Sequence, residues 1–167
     1  MPVDTLDKFF IECKKSILSD KELNIYGPCA TGQPLRKVEG VPNIFVDGGS
    51  RYKKGNAGII VGDGDSSFDT KMDICLNPVK AFSDLSFVLN SIPVSFKLIN
   101  MFGFLGERRD HELINLAVIH RFLRERASVT KVVLEDKVIA YSVGEWTEKI
   151  EGVFSLFSSS QVDLELS

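Results

Sequence analysis

The sequence predicts an α/β fold in which a Rossmann-like, mostly parallel sheet is flanked by helices and followed by a short all-β C-terminal module. Three observations carry this prediction. Short apolar runs recur after residue 20, and each is followed by a loop rich in glycine or polar residues. The runs lack polar alternation, which is typical of strands buried on both faces of a parallel sheet. After about residue 127 the runs follow one another without helical patterns between them.

The first half of the chain is predicted to contain one helix and four strands. Residues 3–19 place apolar side chains at helical spacing with charged residues between them, which indicates an amphipathic helix. The predicted strands are LNIY, NIFV, AGIIV and MDICL. The loops that follow them are GPCATGQP, DGGSRYKKGN, GDGDSS and NPVKA.

The second half is predicted to change character at about residue 127. A helix is expected from Ser83 or Asp84 to Ser91, a strand at FKLINMF, and a helix from Asp110 or His111 to about Arg126. KVVLE and VIAYSV then predict a hairpin, and VFSLF and VDLEL predict further strands. The pattern divides the chain into an α/β domain at 1–127 and a β-strand module at 128–167, which is expected to be incomplete at its end.

Composition excludes several classes of protein. The 167 residues have a net charge of -3, and 44% of them are apolar, which is too apolar for a disordered chain. The acidic balance lacks the basic excess that holds a protein on nucleic acid, so no nucleic-acid partner is expected. Three cysteines at wide spacings and two histidines support neither a disulfide framework nor a zinc site.

The sequence also predicts a cytoplasmic protein without a membrane partner. The N-terminus MPVDTLDKFFIECKK contains acids early and no apolar core followed by small residues, so it does not resemble a signal peptide. No apolar run approaches the roughly 20 residues that are needed to span a bilayer.

Three loops could carry chemistry, at residues 47–50, 62–66 and 102–111. Each follows an apolar strand run, and the carboxyl ends of parallel strands meet at one edge of a sheet, where ligands bind at the reversal of strand order. Asp63 and Asp65 could both reach one cation, although a Gly-Asp-Gly turn has the same letters. Arg108 and Arg109 at a helix start suit phosphate oxygens. Alternatively, Asp110 caps the helix and the arginines are solvated.

Aspartate and glutamate are unevenly distributed along the chain. From residue 40 to residue 106 there is no glutamate, yet the stretch contains six aspartates. Short carboxylates beside glycines suit either tight turns or the ligation of a hard cation.

Taken together, four motifs resemble the thiamin pyrophosphokinase family. That family has an Asp-Gly-Gly loop, a Gly-Asp-x-Asp-Ser loop, a Lys-Asp-x-Thr-Asp segment and a Gly-x-Arg-x-Asp-His-x-x-x-Asn helix start. The matching residues, in the same order, are Asp47, Gly48 and Gly49; Gly62, Asp63, Asp65 and Ser66; Lys80 and Asp84, with Ser83 in place of threonine; and Gly106, Arg108, Asp110, His111 and Asn115.

The resemblance implies transfer of a diphosphate group from ATP to the hydroxyl of thiamin, which releases AMP and uses Mg²⁺ as the cation. It also implies a homodimer, a nucleotide-binding catalytic domain at 1–127, and part of a thiamin-binding β-sandwich at 128–167. The implied roles are as follows: metal ligands Asp63, Asp65 and Asp84; nucleotide binding by Asp47, Gly48, Gly49, Ser66, Lys80 and Arg108; thiamin binding by Asp110, His111 and Asn115; and catalysis by Asp63, Asp65, Asp84, Arg108 and Asp110.

Two departures from the family pattern leave other functions open. Gly64 stands where the family has a bulky phenylalanine, and Ala81 stands where it has an acid. One alternative is a diphosphokinase that acts on a hydroxymethylpterin, since only the acceptor pocket would differ. Another is a degenerate member that binds nucleotide without transferring phosphate.

Overall fold

A computed structural model describes residues 2–15, 22–29, 40–65, 70–106, 108–159, 161–163 and 165. The helices are α1 (Pro2–Lys15), α2 (Asp84–Ser91) and α3 (Arg109–Glu125), with a 3₁₀ helix at Asp47–Tyr52. The strands are β1 (Glu22–Tyr26), β2 (Asn43–Val46), β3 (Ile59–Gly62), β4 (Ile74–Cys75), β5 (Leu98–Phe102), β6 (Lys131–Leu134) and β7 (Val138–Tyr141). No helix among these residues is both long and apolar enough to cross a bilayer.

The strands form one sheet in the order β4-β3-β2-β1-β5-β6-β7. All neighbours are parallel except β7, which runs antiparallel to β6. The chain moves outward in one direction from β1 to β4 and then returns to the other side of β1 with β5. The reversal of strand order therefore lies between β1 and β5, and the α/β fold with a mostly parallel sheet is confirmed.

The three helices share one face of the sheet. Side chains alternate between the two faces of a strand, and Leu23, Ile25, Ile99 and Met101 belong to the same buried cluster as the apolar side of every helix. The helical members of this cluster are Leu6 and Phe10 from α1, Leu85, Val88 and Leu89 from α2, and Ile119, Phe122 and Leu123 from α3. This core holds the carboxyl edge of the sheet in a fixed position relative to the starts of α2 and α3.

The opposite face of the sheet has a different composition. In-register pairing places Tyr26 between Phe45 and Phe102, with ring centroids 5.2 and 5.3 Å apart. Two residues toward the amino ends, on the same face, the same pairing places Asn24 between Asn43 and Asn100. Asn24 donates to the side-chain oxygen of Asn43 at 3.2 Å and accepts from Asn100 at 3.0 Å, so the buried side chains of Asn24 and Asn100 have hydrogen-bond partners.

Most elements lie where the sequence predicts them. The predicted strands in the α/β part form β1 to β5, Ser83 caps α2 by accepting from the Ser86 amide at 3.1 Å, and KVVLE with VIAYSV forms the predicted hairpin. The helix predicted at 3–19 is present as α1, and residues 16–19 lie outside the described residues.

The C-terminal part differs from the prediction in two ways. β6 pairs in parallel with β5, so the hairpin continues the sheet of the α/β domain. The strand predicted at VFSLF is wrong, because residues 153–157 are exposed and form no strand. Apolar residues alone do not make a strand, since its backbone hydrogen bonds require a neighbouring strand. The other predicted strand, VDLEL, lies partly outside the described residues.

Candidate active site

Three carboxylates meet at the carboxyl edge of the sheet. Asp47 directly follows β2, and Asp63 and Asp65 follow β3. One carboxylate oxygen from each residue lies within 4.8 Å of the others. Because β2 and β3 are adjacent and parallel, their ends deliver these side chains to the same place.

Two glycines allow the strand ends to approach this closely. A Cβ on Gly49 would overlap the carbonyl oxygen of Tyr26, and one on Gly62 would lie 3.0 Å from the Asp47 Cα. Asp47 itself has a positive φ of 50°, a conformation that aspartate tolerates better than most residues. Glycine is therefore required at position 49, and glycine at position 62 leaves room for the Asp47 backbone beside β3.

Lys80 joins the acidic loop after β3 to the start of α2. Its Nζ lies 2.7 Å from Asp63 Oδ2 and 2.9 Å from Asp84 Oδ1. The three side chains are only 9%, 13% and 11% exposed, for Lys80, Asp63 and Asp84 respectively. The ammonium neutralises part of the charge that the acidic loops would otherwise bring together.

This contact shifts the ionisation of both partners. The hydrogen bond from Lys80 is the main reason why the pKa of Asp63 lies below its usual range. Burial alone would lower the pKa of Lys80, but hydrogen bonds to Asp63 and Asp84 outweigh it and the pKa is raised. Both groups are therefore charged at neutral pH.

The carboxylates fit a hard divalent cation. Magnesium prefers oxygen ligands and keeps several waters, so it needs only one or a few carboxylates and open space beside them. Asp47, Asp63 and Asp65 provide three such oxygens, and Asp65 is exposed. The structure thus brings Asp47 to the pair Asp63 and Asp65, whereas Asp84 is not in this group and instead contacts Lys80.

On the other side of the strand reversal, the loop after β5 lies against the loop after β1. The Gly27 amide donates to the Phe102 carbonyl oxygen at 2.6 Å, and the Cys29 amide donates to the Gly103 carbonyl oxygen at 3.0 Å. A Cβ on Gly103 would come within 2.7 Å of the Gly27 carbonyl oxygen, and Gly103 has a φ of 78°. Glycine at 103 is therefore required for this contact.

Three side chains hold the backbone of the loop after β5. Oε1 of Glu135, in the turn between β6 and β7, accepts from the Gly103 amide at 2.6 Å and from the Phe104 amide at 2.9 Å. Asn115 Nδ2 donates to the Phe104 carbonyl oxygen at 2.9 Å. Glu112 accepts from the Gly106 amide. The loop that leads into α3 is thus anchored before it reaches Arg108.

The charged residues at the start of α3 lie in the open. Arg108 hydrogen-bonds Asp110, and these side chains are 61% and 59% exposed. The hydrogen bond from Arg108 lowers the pKa of Asp110, and the same contact raises the pKa of Arg108. His111 Nε2 lies 3.9 Å from Asp110 Oδ2. Asp110 does not cap α3 and instead binds the arginine that precedes the helix.

The structure groups the predicted site residues into two sets. Asp47, Asp63, Asp65, Lys80 and Asp84 come together after β2 and β3, and Gly48 and Gly49 lie beside them in the 3₁₀ helix. Arg108, Asp110 and His111 lie at the start of α3. Ser66 lies outside the described residues.

Two features of the site were not predicted from the sequence. The side chain of Asn115 turns to the Phe104 carbonyl, and Glu135 reaches the same loop from a distant hairpin. Glu135 has a positive φ of 51°, which is uncommon for glutamate, and no sequence pattern around it signals that conformation.

Comparison with known proteins leaves the family open. No protein-family model matches the chain, and no curated protein matches it significantly. Among solved structures, a Lactobacillus plantarum protein is similar at 19% identity and a TM-score of 0.48, over 68% of this chain and 59% of that one. Thiamine pyrophosphokinase from Bacillus subtilis is similar at 17% identity and a TM-score of 0.42, over 68% of this chain and 60% of that one.

The chain spans less than two thirds of the length of either structure. Similarity at this level gives no family assignment.

Proposed function

We propose that the protein is a Mg²⁺-dependent diphosphotransferase that moves the terminal diphosphate of ATP to the hydroxyl of thiamin and releases AMP. The observation that carries the proposal is the meeting of Asp47, Asp63 and Asp65 at the carboxyl edge of a parallel sheet. Phosphoryl transfer asks a protein mainly to position its substrates and to neutralise spread-out negative charge. A carboxylate cluster for a cation, with a lysine and an arginine in the adjoining loops, is suited to both tasks.

The reaction involves one bond made and one broken. The acceptor hydroxyl oxygen bonds to the β-phosphorus of ATP, the bond from that phosphorus to the oxygen that bridges it to the α-phosphorus breaks, and AMP leaves with that oxygen. The hydroxyl proton is released. When bound, Mg²⁺ would neutralise charge on the phosphate oxygens.

The residues of this chain have separate roles in the proposal. Asp47, Asp63 and Asp65 would hold Mg²⁺, and Lys80 would hold the Asp63 and Asp84 carboxylates in place and neutralise part of their charge. Arg108 would bind phosphate oxygens, for which it would exchange its exposed contact with Asp110. Asp110 and His111 would then face the acceptor.

The acceptor and the assembly rest on the motifs in the sequence. Thiamin is proposed because the helix start at Gly106 to Asn115 resembles the thiamin pyrophosphokinase pattern. A homodimer belongs to the same proposal for the same reason.

A nucleotide-binding protein without transfer activity is the second candidate. The observation that favours it is the contact of Asp84 with Lys80, which engages a carboxylate that the resemblance places on the metal. Ala81, where the family has an acid, removes another carboxylate.

Release of AMP tests the proposal. The purified protein should form AMP from ATP and Mg²⁺ with thiamin, and Asp65→Asn should lower the rate about 100-fold or more, since removal of one electrostatic contact to transferring groups commonly costs that much. The control is Asp136→Asn, the same change at an exposed position in the turn after β6, which should leave the rate unchanged.

Other outcomes separate the alternatives. AMP release with a hydroxymethylpterin in place of thiamin would identify the pterin reaction. No AMP with either acceptor, together with measurable ATP binding, would contradict a transferase and support the second candidate. An unchanged rate in Asp65→Asn would contradict the metal assignment.

A further inference from the structure

Glu135 is a buried carboxylate far from the acidic cluster in sequence, and its contacts reach the loop that precedes Arg108. It is 8% exposed and lies in the turn between β6 and β7. A single oxygen, Oε1, accepts the amides of Gly103 and Phe104 at 2.6 and 2.9 Å. The Glu135 amide in turn donates to the Met101 carbonyl oxygen at 3.0 Å.

These contacts continue the ladder between β5 and β6 beyond the strands. β5 ends at Phe102 and β6 at Leu134, so the next backbone groups would lose their partners. The Glu135 side chain supplies an acceptor for two successive amides of the departing loop. A carboxylate is a stronger acceptor for backbone amides than a neutral group, and two buried amides without a partner would be costly.

Side chains from two different elements hydrogen-bond the backbone of Phe104, one at its amide and one at its carbonyl oxygen. The Phe104 amide is held by Glu135, and its carbonyl oxygen is held by Asn115 from the second turn of α3. The β6–β7 hairpin and α3 therefore both hydrogen-bond Phe104, and Arg108 follows four positions later in the sequence. Gly103 has a left-handed backbone with a φ of 78°, and the hydrogen bonds of Glu135 to the Gly103 and Phe104 amides stabilise it.

We propose that Glu135 is a positioning residue that holds the 103–106 loop, through the amides of Gly103 and Phe104, in the shape that presents Arg108 to the phosphates of ATP. This role rests on the proposed diphosphate transfer, but the holding of the loop can be measured without it. It also connects the turn between β6 and β7 to the proposed nucleotide site through the Glu135 side chain.

The test compares three variants. Glu135→Ala removes the acceptor, and Glu135→Gln keeps an oxygen in the same place without the charge. Asp136→Ala is the matched control, because it removes a neighbouring carboxylate at the same positive φ, 53° against 51°, on an exposed side chain. Circular dichroism and thermal unfolding first establish a temperature at which all variants are folded.

Amide hydrogen exchange at Gly103 and Phe104 measures directly how well the backbone of the loop is protected. Glu135→Ala should speed exchange at both amides by about 10-fold to 100-fold, as expected for the loss of a hydrogen bond to a charged group. Asp136→Ala should leave them unchanged, and Glu135→Gln should restore most of the protection.

Steady-state kinetics tests whether the loop positions Arg108 for ATP. In Glu135→Ala the kcat/KM for ATP should fall about 10-fold or more, because a small misplacement of a binding group is costly, and Glu135→Gln should recover most of it. Unchanged exchange in Glu135→Ala, or faster exchange with unchanged kinetics for ATP, would overturn the proposal. A wild-type protein that releases no AMP refutes the proposed transfer instead, and the exchange result still decides whether Glu135 holds the loop.

Discussion

The carboxyl edge of the sheet has two sides that are built in different ways. The acidic side, formed by the loops after β2 and β3 with Lys80 and Asp84, has partly buried charges that contact one another. The arginine side, formed by the loop after β5 and the start of α3, has exposed charges on a backbone that the side chains of Glu135 and Asn115 hold. Side-chain charges position one side, and backbone hydrogen bonds position the other.

This difference predicts opposite sensitivities. Removing a charge should damage the acidic side, because its neighbours are left unpaired in a poorly hydrated place. The same removal on the arginine side should change little in the folded protein, because exposed ion pairs contribute little to stability.

The largest expected contrast is between the removal of Lys80 from the acidic side and the removal of Arg108 from the arginine side. Lys80→Met should lower the free energy of unfolding by about 3 kcal/mol, since it leaves Asp63 and Asp84 without the charge they share. Arg108→Met removes a cation from an exposed pair and should leave the unfolding midpoint unchanged. Urea unfolding of both variants measures the contrast, and equal losses would show that the two sides do not differ.

A smaller effect is expected where the acidic side depends on a close backbone contact. Gly49→Ala should cost about 1–3 kcal/mol of stability, because its Cβ overlaps the Tyr26 carbonyl oxygen. It should also weaken the proposed Mg²⁺ binding, since Asp47 lies in the same 3₁₀ helix and would move with it.

The control for this prediction is Gly55→Ala. Gly55 has open space around it and a φ of 77°, so alanine there adds backbone strain of about 1 kcal/mol without moving Asp47. Isothermal titration with Mg²⁺ distinguishes the two variants. Equal weakening of Mg²⁺ binding by both variants would contradict the assignment of Asp47 as a Mg²⁺ ligand.

The smallest expected effect concerns pH and salt. The folded pKa of Asp63 lies below its ordinary value of 3.8, so its ionised form contributes stability that is fully present above that value and is lost as the pH falls through the lower folded pKa. The pKa of Asp110 is lowered as well, but on an exposed side chain.

Salt should therefore separate the two aspartates. Raising NaCl from about 0.1 M to about 1 M shortens the screening length from roughly 10 Å to roughly 3 Å. The pKa of Asp110 should move toward its ordinary value, whereas the pKa of Asp63 should stay low. Carboxyl NMR titrations measure both, and a salt-sensitive Asp63 would show that the acidic side is open to solvent.

Much of the fold could be predicted from local patterns. The unbroken apolar runs predicted the parallel strands, and Ser83 predicted the start of α2, because strand burial and helix capping depend on neighbouring residues. The prediction of a strand at 153–157 was wrong, because pairing with a distant strand cannot be recognised from one apolar segment.

The candidate site could be predicted only in part. Glycines and aspartates after successive strands were enough to place Asp47, Asp63 and Asp65 at one edge of the sheet. The contact between Asp63 and Lys80, 17 positions apart, could not be predicted because it depends on how α2 packs against the sheet.

The sequence by itself determined which residues could supply oxygen ligands and phosphate contacts, and which edge of the sheet would carry them. These properties follow from side-chain chemistry and from the direction of parallel strands. Only the tertiary structure decided that Lys80 lies between two aspartates and that Glu135 holds a loop 31 and 32 positions away in sequence. The reason is physical: these contacts join elements through one packed core, and their distances depend on the packing of every element between them.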